Sequence, residues 1–117
     1  MDAFSALADP TRRRIVELLA SHGRLTASEI AGHFPVSAPA ISQHLKVLRE
    51  AELVLVEKRA QQRIYRINPS AMLGMELWAR EIRERWDERF DALDRLLAEE
   101  RAQSAVSVED ASSSEEG

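Results

Sequence analysis

The stretch TASEIAGHFPVSAPAISQHLKVLREA (residues 26–51) decides the fold, because it predicts two helices joined by a tight turn. Thr26 and Glu29 fit a capping box at the start of a short helix, which is expected to end at the Phe34-Pro35 pair. Ser37 then caps a longer helix that runs to about residue 51. This pattern is typical of a helix-turn-helix.

The longer helix has one apolar face and one outward face. Ile41, Leu45 and Leu48 recur at helical spacing and predict the side that faces the core. The opposite side is small or polar with one cation, and such a helix can enter the major groove of DNA. The predicted DNA-contacting residues of this helix are Ser37, Ala38, Pro39, Ser42, Gln43, His44 and Lys46. The alternative is a solvent-exposed face that binds nothing.

Downstream of this pattern, residues 53–67 are typical of a β-hairpin, which we call the wing. The β-prone runs LVLV (53–56) and IYRI (64–67) flank a polar link over 57–63. Cations on a hairpin beside a helix-turn-helix suit contact with phosphates or with the minor groove. The predicted contacts in the wing are Lys58, Arg59, Gln61, Gln62 and Arg63.

Three further helices complete the prediction. A short apolar helix spans residues 2–8, a second begins at Asp9-Pro10 and ends near Gly23, and the fifth helix runs from about 68 to 101. The predicted fold is therefore mainly α (α+β): a winged helix-turn-helix of five helices and a two-stranded hairpin, in the order ααααββα.

The predicted fifth helix carries an apolar stripe that is longer than a small domain needs for its own core. Apolar residues from Ala71 to Leu97 recur about every 3.7 residues. The beginning of the stripe is expected to pack on the core, and the remainder, with the first helix, to form a two-fold interface between two copies. The residues assigned to this interface are Phe4, Leu7, Trp78, Ile82, Trp86, Phe90, Leu93 and Leu97.

Charge is distributed unevenly along the chain, whose overall net charge is −4. Residues 1–67 carry 10 Lys/Arg against 7 Asp/Glu, a net of +3, whereas 68–101 and the acidic, serine-rich stretch 102–117 are negative. The local potential of a face decides whether a polyanion binds, so the total does not exclude DNA. We expect one domain over 1–101 and a disordered tail over 102–117.

Several function classes are excluded by what the chain lacks. Without cysteine it has no disulfide, thiolate metal site or cysteine nucleophile. The histidines His22, His33 and His44 fall on three different predicted elements, so no metal and no cofactor is expected. No hydrolytic triad or phosphate loop is visible, which argues against an enzyme. Neither a signal peptide nor an apolar run long enough to span a membrane is visible, which favours the cytoplasm.

Three stretches resemble the ArsR/SmtB family of bacterial transcriptional repressors. They are LADPTRRRI (7–15), SAPAISQHLKVL (37–48) and RIYRI (63–67), and the resemblance extends over about residues 3–100. It implies a homodimeric winged helix that binds double-stranded DNA at a palindromic operator and represses its own operon. It also implies that Ser42 and Gln43 contact bases or phosphates.

The chain departs from this family at two glycines. Glu52 stands where relatives have a glycine after the fourth helix, and Gln61-Gln62 stands where the wing glycine is expected. Both turns are therefore expected to differ locally. Two alternatives stay open: a winged helix that binds a protein instead of DNA, and a repressor gated by a small molecule in an apolar pocket near Trp78 and Trp86.

Overall fold

The computed structural model describes the backbone of residues 1–112 and the side chains of residues 1–104. The elements in chain order are α1 (Ala3–Ala6), α2 (Pro10–His22), β1 (Leu25–Thr26), α3 (Ala27–Ala31), α4 (Ala38–Glu50), β2 (Val54–Arg59), β3 (Gln62–Ile67) and α5 (Pro69–Ser112). The predicted winged helix-turn-helix is confirmed, with one additional strand.

Side-chain caps fix the start of each of the first four helices. Asp2 accepts from the Ser5 amide at 2.8 Å and Asp9 from the Arg12 amide at 3.0 Å. The capping box is formed, with the Thr26 amide donating to Glu29 and the Glu29 amide donating to Thr26. Ser37 accepts from the amide three residues on, at 3.3 Å. These caps satisfy amides that would otherwise lack partners, so the sequence sets the helix starts locally.

The core lies among α1–α4, β1 and the strands of the wing. Its largest fully buried side chains are Ile15, Leu19, Ile30, Ile41, Leu45, Leu48, Leu53 and Val54. The buried residues of α4 are those predicted from helical spacing, which confirms its core face. Ala71, Met72 and Met75 at the beginning of α5 pack against the same cluster, as predicted for that end of the stripe.

The sheet has three strands in the order β1-β3-β2, all antiparallel, so the prediction of two strands was incomplete. Strand β1 is only two residues long and pairs Leu25 with Tyr65 and Thr26 with Ile64. A run this short carries no period-2 pattern, and its pairing is a tertiary contact. The wing strands are also longer than predicted, since pairing reaches Arg59 and Gln62 and leaves a link of two residues.

Helix α4 ends in a left-handed turn although the chain has glutamate there. Glu52 has φ 61°, and its amide donates to the Arg49 carbonyl at 2.9 Å. The Leu53 amide donates to the Leu48 carbonyl at 3.0 Å, and both of these leucines are fully buried. The two bonds and the apolar contact define a Schellman motif. The expectation of a different helix end was wrong: the usual turn is kept, with glutamate in a conformation that favours glycine.

Three helix boundaries differ from the prediction. Helix α1 is shorter than 2–8, and α3 ends at Ala31, followed by single turns in which the His33 amide donates to the Ile30 carbonyl. Helix α5 continues to Ser112, beyond the end predicted near Arg101, because no glycine or proline interrupts this stretch. Residues 102–112 of the predicted tail are thus helical, and 113–117 lie outside the described residues.

The chain divides into two units. The first, Met1–Glu76, holds every element up to the first turns of α5, and the second begins at Leu77 and contains the remainder of that helix. The single domain predicted over 1–101 stays a prediction.

Candidate nucleic-acid interface

The outward face of α4 is open to solvent along its length. Of the predicted contact residues on this helix and its cap, those exposed are Ser37, Ala38, Pro39, Ser42, Gln43 and Lys46. Their opposite side is anchored, because Ile41, Leu45 and Leu48 are each at most 1% exposed. The helix therefore presents a polar face of fixed orientation, which is what insertion into a major groove requires.

His44 differs from the other predicted contacts, because it is half-buried and faces the beginning of α2. Its Nδ1 lies 3.4 Å from an Arg12 guanidinium nitrogen and 3.9 Å from an Asp9 carboxylate oxygen. A guanidinium can only donate, so Nδ1 is the acceptor in that contact. Two predicted contacts of α4 and its cap thus have side chains engaged within the protein: Ser37 accepts from the Ala40 amide, and His44 contacts Arg12 and Asp9. The part of both residues in DNA binding stays a prediction.

The same contacts affect the carboxylate that caps α2. The Arg12 amide that donates to Asp9 is the main cause that holds the pKa of this carboxyl below its usual value. Burial of the carboxyl is the next largest cause and raises its pKa, whereas the nearby His44 ring and the Arg12 charge have smaller effects that lower it. The caps at Asp2 and Glu29 also lower the pKa of those groups, through backbone hydrogen bonds.

The wing ends in a turn of two residues, Ala60-Gln61, between the paired Arg59 and Gln62. Ala60 has φ 54° and is the left-handed residue of this turn. It lies one position before Gln61-Gln62, where the sequence analysis expected the wing glycine. Arg59 is partly neutralised by Glu57, with a nitrogen-to-oxygen distance of 3.2 Å. All five predicted contact residues of the wing are exposed.

Helix α4 and the wing together line a cleft of about 480 Å³. Its lining residues are Ala27, Pro39, Ser42, Gln43, Lys46, Arg49, Arg63 and Tyr65. The cleft brings the two predicted contact surfaces, one on α4 and one on the wing, to a single site. Three of its side chains are cationic and none is acidic.

Three of these lining residues were not among the predicted contacts: Ala27, Tyr65 and Arg49. Of the three, the cationic residue is Arg49. It lies three residues after Lys46 and seven after Ser42, so all three lie along one line of the helix surface. That spacing is visible in the sequence and would have identified Arg49. The predicted contacts on α4 end at Lys46, one turn before Arg49, and they stay predictions.

Two histidines that the sequence placed on separate elements are neighbours in the structure. The rings of His22 and His33 have centroids 5.6 Å apart, and His22 Nδ1 lies 3.0 Å from the Leu18 carbonyl oxygen. Within the described residues, no group of three or more His, Cys, Asp or Glu side chains could hold a metal ion. The pair is a ring contact between two helix ends.

The second unit exposes a line of large apolar side chains. Trp78 is 52% exposed, Trp86 65% and Phe90 59%, and Ile82, Leu93 and Leu97 are also exposed. In the first unit, Phe4 is 48% exposed, whereas Leu7 is half-buried against the core. Apolar surface of this extent is typical of an interface.

Comparisons with known proteins agree with this geometry. A family model for "Bacterial regulatory protein, arsR family" matches residues 9–56. The HTH-type transcriptional regulator Rv2034 of Mycobacterium tuberculosis is 49% identical over 73 residues, which is 62% of this chain and 67% of that protein. The transcriptional repressor SdpR of Bacillus subtilis is 39% identical over 77 residues, which is 66% of this chain and 84% of SdpR.

Solved structures give the same picture for the fold. An ArsR-like transcriptional regulator from Rhodococcus sp. RHA1 superposes with a TM-score of 0.70 at 31% identity, and the match covers 80% of this chain and 87% of that one. Over residues 1–112, no helix has an apolar stretch long enough to cross a membrane.

Proposed function

The chain belongs to the ArsR family of bacterial regulatory proteins and is a transcriptional regulator, not an enzyme; we propose that it is a homodimeric repressor. In this proposal two copies bind a palindromic operator of the chain's own operon, in adjacent major grooves. The observation that carries it is the exposed polar face of α4, continuous with a cationic cleft at the wing. We also propose that the protein acts in the cytoplasm, where its operator lies.

Direct contact with bases is assigned to the outward side chains near the beginning of α4. Gln43 can form a bidentate pair with adenine, Ser42 can bond a base edge or a phosphate, and Pro39 can contact a thymine methyl. The wing cations and Lys46 are assigned to phosphates, which position the protein without selecting sequence. The remaining contacts proposed on α4 and its cap are Ser37, Ala38 and His44, and those on the wing are Lys58, Arg59, Gln61, Gln62 and Arg63.

The dimer is assigned to the exposed apolar side chains of α5 and α1. The tryptophans and Phe90 are each about half exposed or more, and a single chain in water gains nothing from this exposure. A second copy related by a two-fold axis would cover the same residues on both chains. Because a palindrome has the same symmetry, each α4 would then meet an equivalent half-site. The proposed interface residues are Phe4, Leu7, Trp78, Ile82, Trp86, Phe90, Leu93 and Leu97.

The test is fluorescence anisotropy with labelled duplex fragments from the region upstream of the chain's own gene. We expect one palindrome-containing fragment to bind more tightly than a shuffled duplex of the same length. The variant Gln43→Ala should weaken binding to this fragment by about 1–3 kcal/mol. It should leave binding to the shuffled duplex nearly unchanged, because that binding depends on phosphates.

Gln103→Ala on α5 is the matched control, since it removes the same side chain from a helix that is not assigned to DNA. It should bind the fragment like the unaltered protein. If no upstream fragment binds better than the shuffled duplex, the repressor proposal fails and a winged helix that binds a protein is favoured. If both variants weaken binding equally, the assignment of Gln43 to a base is wrong.

A further inference from the structure

The cleft between α4 and the wing carries positive charge that the protein itself does not balance. Lys46, Arg49 and Arg63 line it, and no acidic side chain is among its lining residues. Within the described side chains, none of these three cations forms an ion pair with a carboxylate. Across the wing, Arg63 is paired in register with Lys58, so two like charges stand opposite each other. An anion in the cleft would relieve this repulsion.

One residue of the cleft lining, Tyr65, also belongs to the core. Tyr65 is only 5% exposed, and its ring belongs to the hydrophobic core. Its hydroxyl makes no hydrogen bond with any described residue. Within the described side chains, every polar atom that lacks a hydrogen-bond partner has some contact with solvent. The hydroxyl therefore reaches solvent, and Tyr65 is one of the residues that line the cleft. A hydroxyl in this position can donate a hydrogen bond to an anion.

We propose that this cleft is a binding site for a single phosphate group. Lys46, Arg49 and Arg63 supply the charge, and the Tyr65 hydroxyl donates a hydrogen bond. Arginine binds phosphate well because its planar fork of N–H groups matches two phosphate oxygens. The same cleft is lined by Pro39, Ser42 and Gln43, so a phosphate there would lie beside the bases assigned to α4. This assignment rests on the proposed function, in which the phosphate belongs to the DNA backbone next to the half-site.

The chain has one tyrosine, which makes the site directly observable. Protein labelled with 3-fluorotyrosine gives a single ¹⁹F resonance, from Tyr65, in the full-length chain. This resonance is followed during titration with a shuffled duplex and, separately, with inorganic phosphate against sodium chloride at equal ionic strength. Anisotropy on the same samples records whether the duplex is bound. Comparison of the duplex titration with the inorganic phosphate titration distinguishes a phosphate of the DNA backbone from a free phosphate ion.

Substitutions sharpen the test. Arg49→Gln should reduce the slope of log affinity against log salt by about 0.9 per chain, the value for one lost phosphate contact on a duplex. Tyr65→Phe keeps the ring in the core and should lower duplex affinity about three- to tenfold, as expected for one hydrogen bond. The matched control is Arg14→Gln, because Arg14 lies over the Phe34 ring in a different cleft. Its salt slope should equal that of the unaltered protein.

A shift of the Tyr65 resonance on duplex binding, suppressed in Arg49→Gln, supports the backbone assignment. A shift with inorganic phosphate at least as large as that with duplex supports the site but reassigns its occupant to free phosphate. The inference is overturned if the resonance stays fixed in both titrations, or if Arg49→Gln and Arg14→Gln change the salt slope alike. If the protein binds no duplex, the proposed function fails, and the phosphate arm alone decides the cleft.

Discussion

Replacing Trp86 with alanine should dissociate the proposed dimer before it affects the fold. Trp86 is 65% exposed in the single chain, so little of its side chain contributes to the core. An aromatic side chain of this size presents up to about 250 Å², of which about 160 Å² is then available for an interface. At about 25 cal/mol per Å² this corresponds to about 4 kcal/mol per copy if it is fully covered.

Coverage of half of that surface gives about 2 kcal/mol per copy and about 4 kcal/mol per dimer, since the residue occurs twice. The dimer dissociation constant should therefore rise about 10³-fold. Sedimentation equilibrium over a range of protein concentrations measures it directly. Far-ultraviolet circular dichroism on the same samples checks that the chain remains helical.

Leu77→Ala is the control on the same helix. Leu77 is 49% exposed and lies nine residues before Trp86, which at about 100° per residue places it on the opposite side of the helix. Its substitution should change the dissociation constant only a few-fold. If Trp86→Ala is still dimeric at low micromolar concentration, or if Leu77→Ala dissociates as readily, the interface assigned to α5 is wrong.

Three further predictions concern stability and the wing. Glu52→Gly should raise the free energy of unfolding by about 0.5–1 kcal/mol, because glycine removes the strain of a left-handed side-chain-bearing residue at some entropic cost. Glu50→Gly within α4 is the control and should lower the free energy of unfolding by about 1 kcal/mol. Urea titration of both variants distinguishes the signs, and a loss of stability in both would contradict a strained turn at Glu52. Because the folded-state pKa of Asp9 is lowered, its contribution to the free energy of unfolding is present above the unfolded pKa near 3.8 and is lost as pH falls through the folded pKa. Asp9→Ala should therefore lower the free energy of unfolding by about 1 kcal/mol at neutral pH and by less below pH 4. An equal loss at both pH values would refute this. Ala60→Gly should stabilise the wing turn without altering base preference, measured by duplex binding at two salt concentrations, and a changed preference among fragments would be inconsistent with a wing that contacts phosphates.

The elements most accessible to prediction were those that local chemistry fixes. A side-chain oxygen placed just before a helix accepts hydrogen bonds from its free amides and so predicts where the helix begins. The residues that predicted helix starts in this way are Asp9, Thr26 with Glu29, and Ser37. Helical spacing likewise identified the core face of α4. Strand β1 and the cleft between α4 and the wing depend on partners distant in the chain, although the position of Arg49 on α4 follows from its spacing.

The turn after α4 shows the limit of residue preference. Glu52 suggested a changed helix end, yet burial of Leu48 and Leu53 on either side keeps the Schellman turn despite the strain. The wing behaves similarly, with Ala60 at positive φ where a glycine was expected nearby. In both turns, packing and strand pairing outweigh a preference of about 1 kcal/mol.

Hydroxyl-radical footprinting on the bound upstream fragment tests most directly whether two copies place two α4 helices on one palindrome. The fragment is labelled on each strand in turn and compared with the same DNA bound by Gln43→Ala. We predict two protected segments related by two-fold symmetry, with centres about one helical turn, roughly 34 Å, apart. A single protected segment, or protection without symmetry at every concentration that saturates the DNA, would contradict a homodimeric repressor.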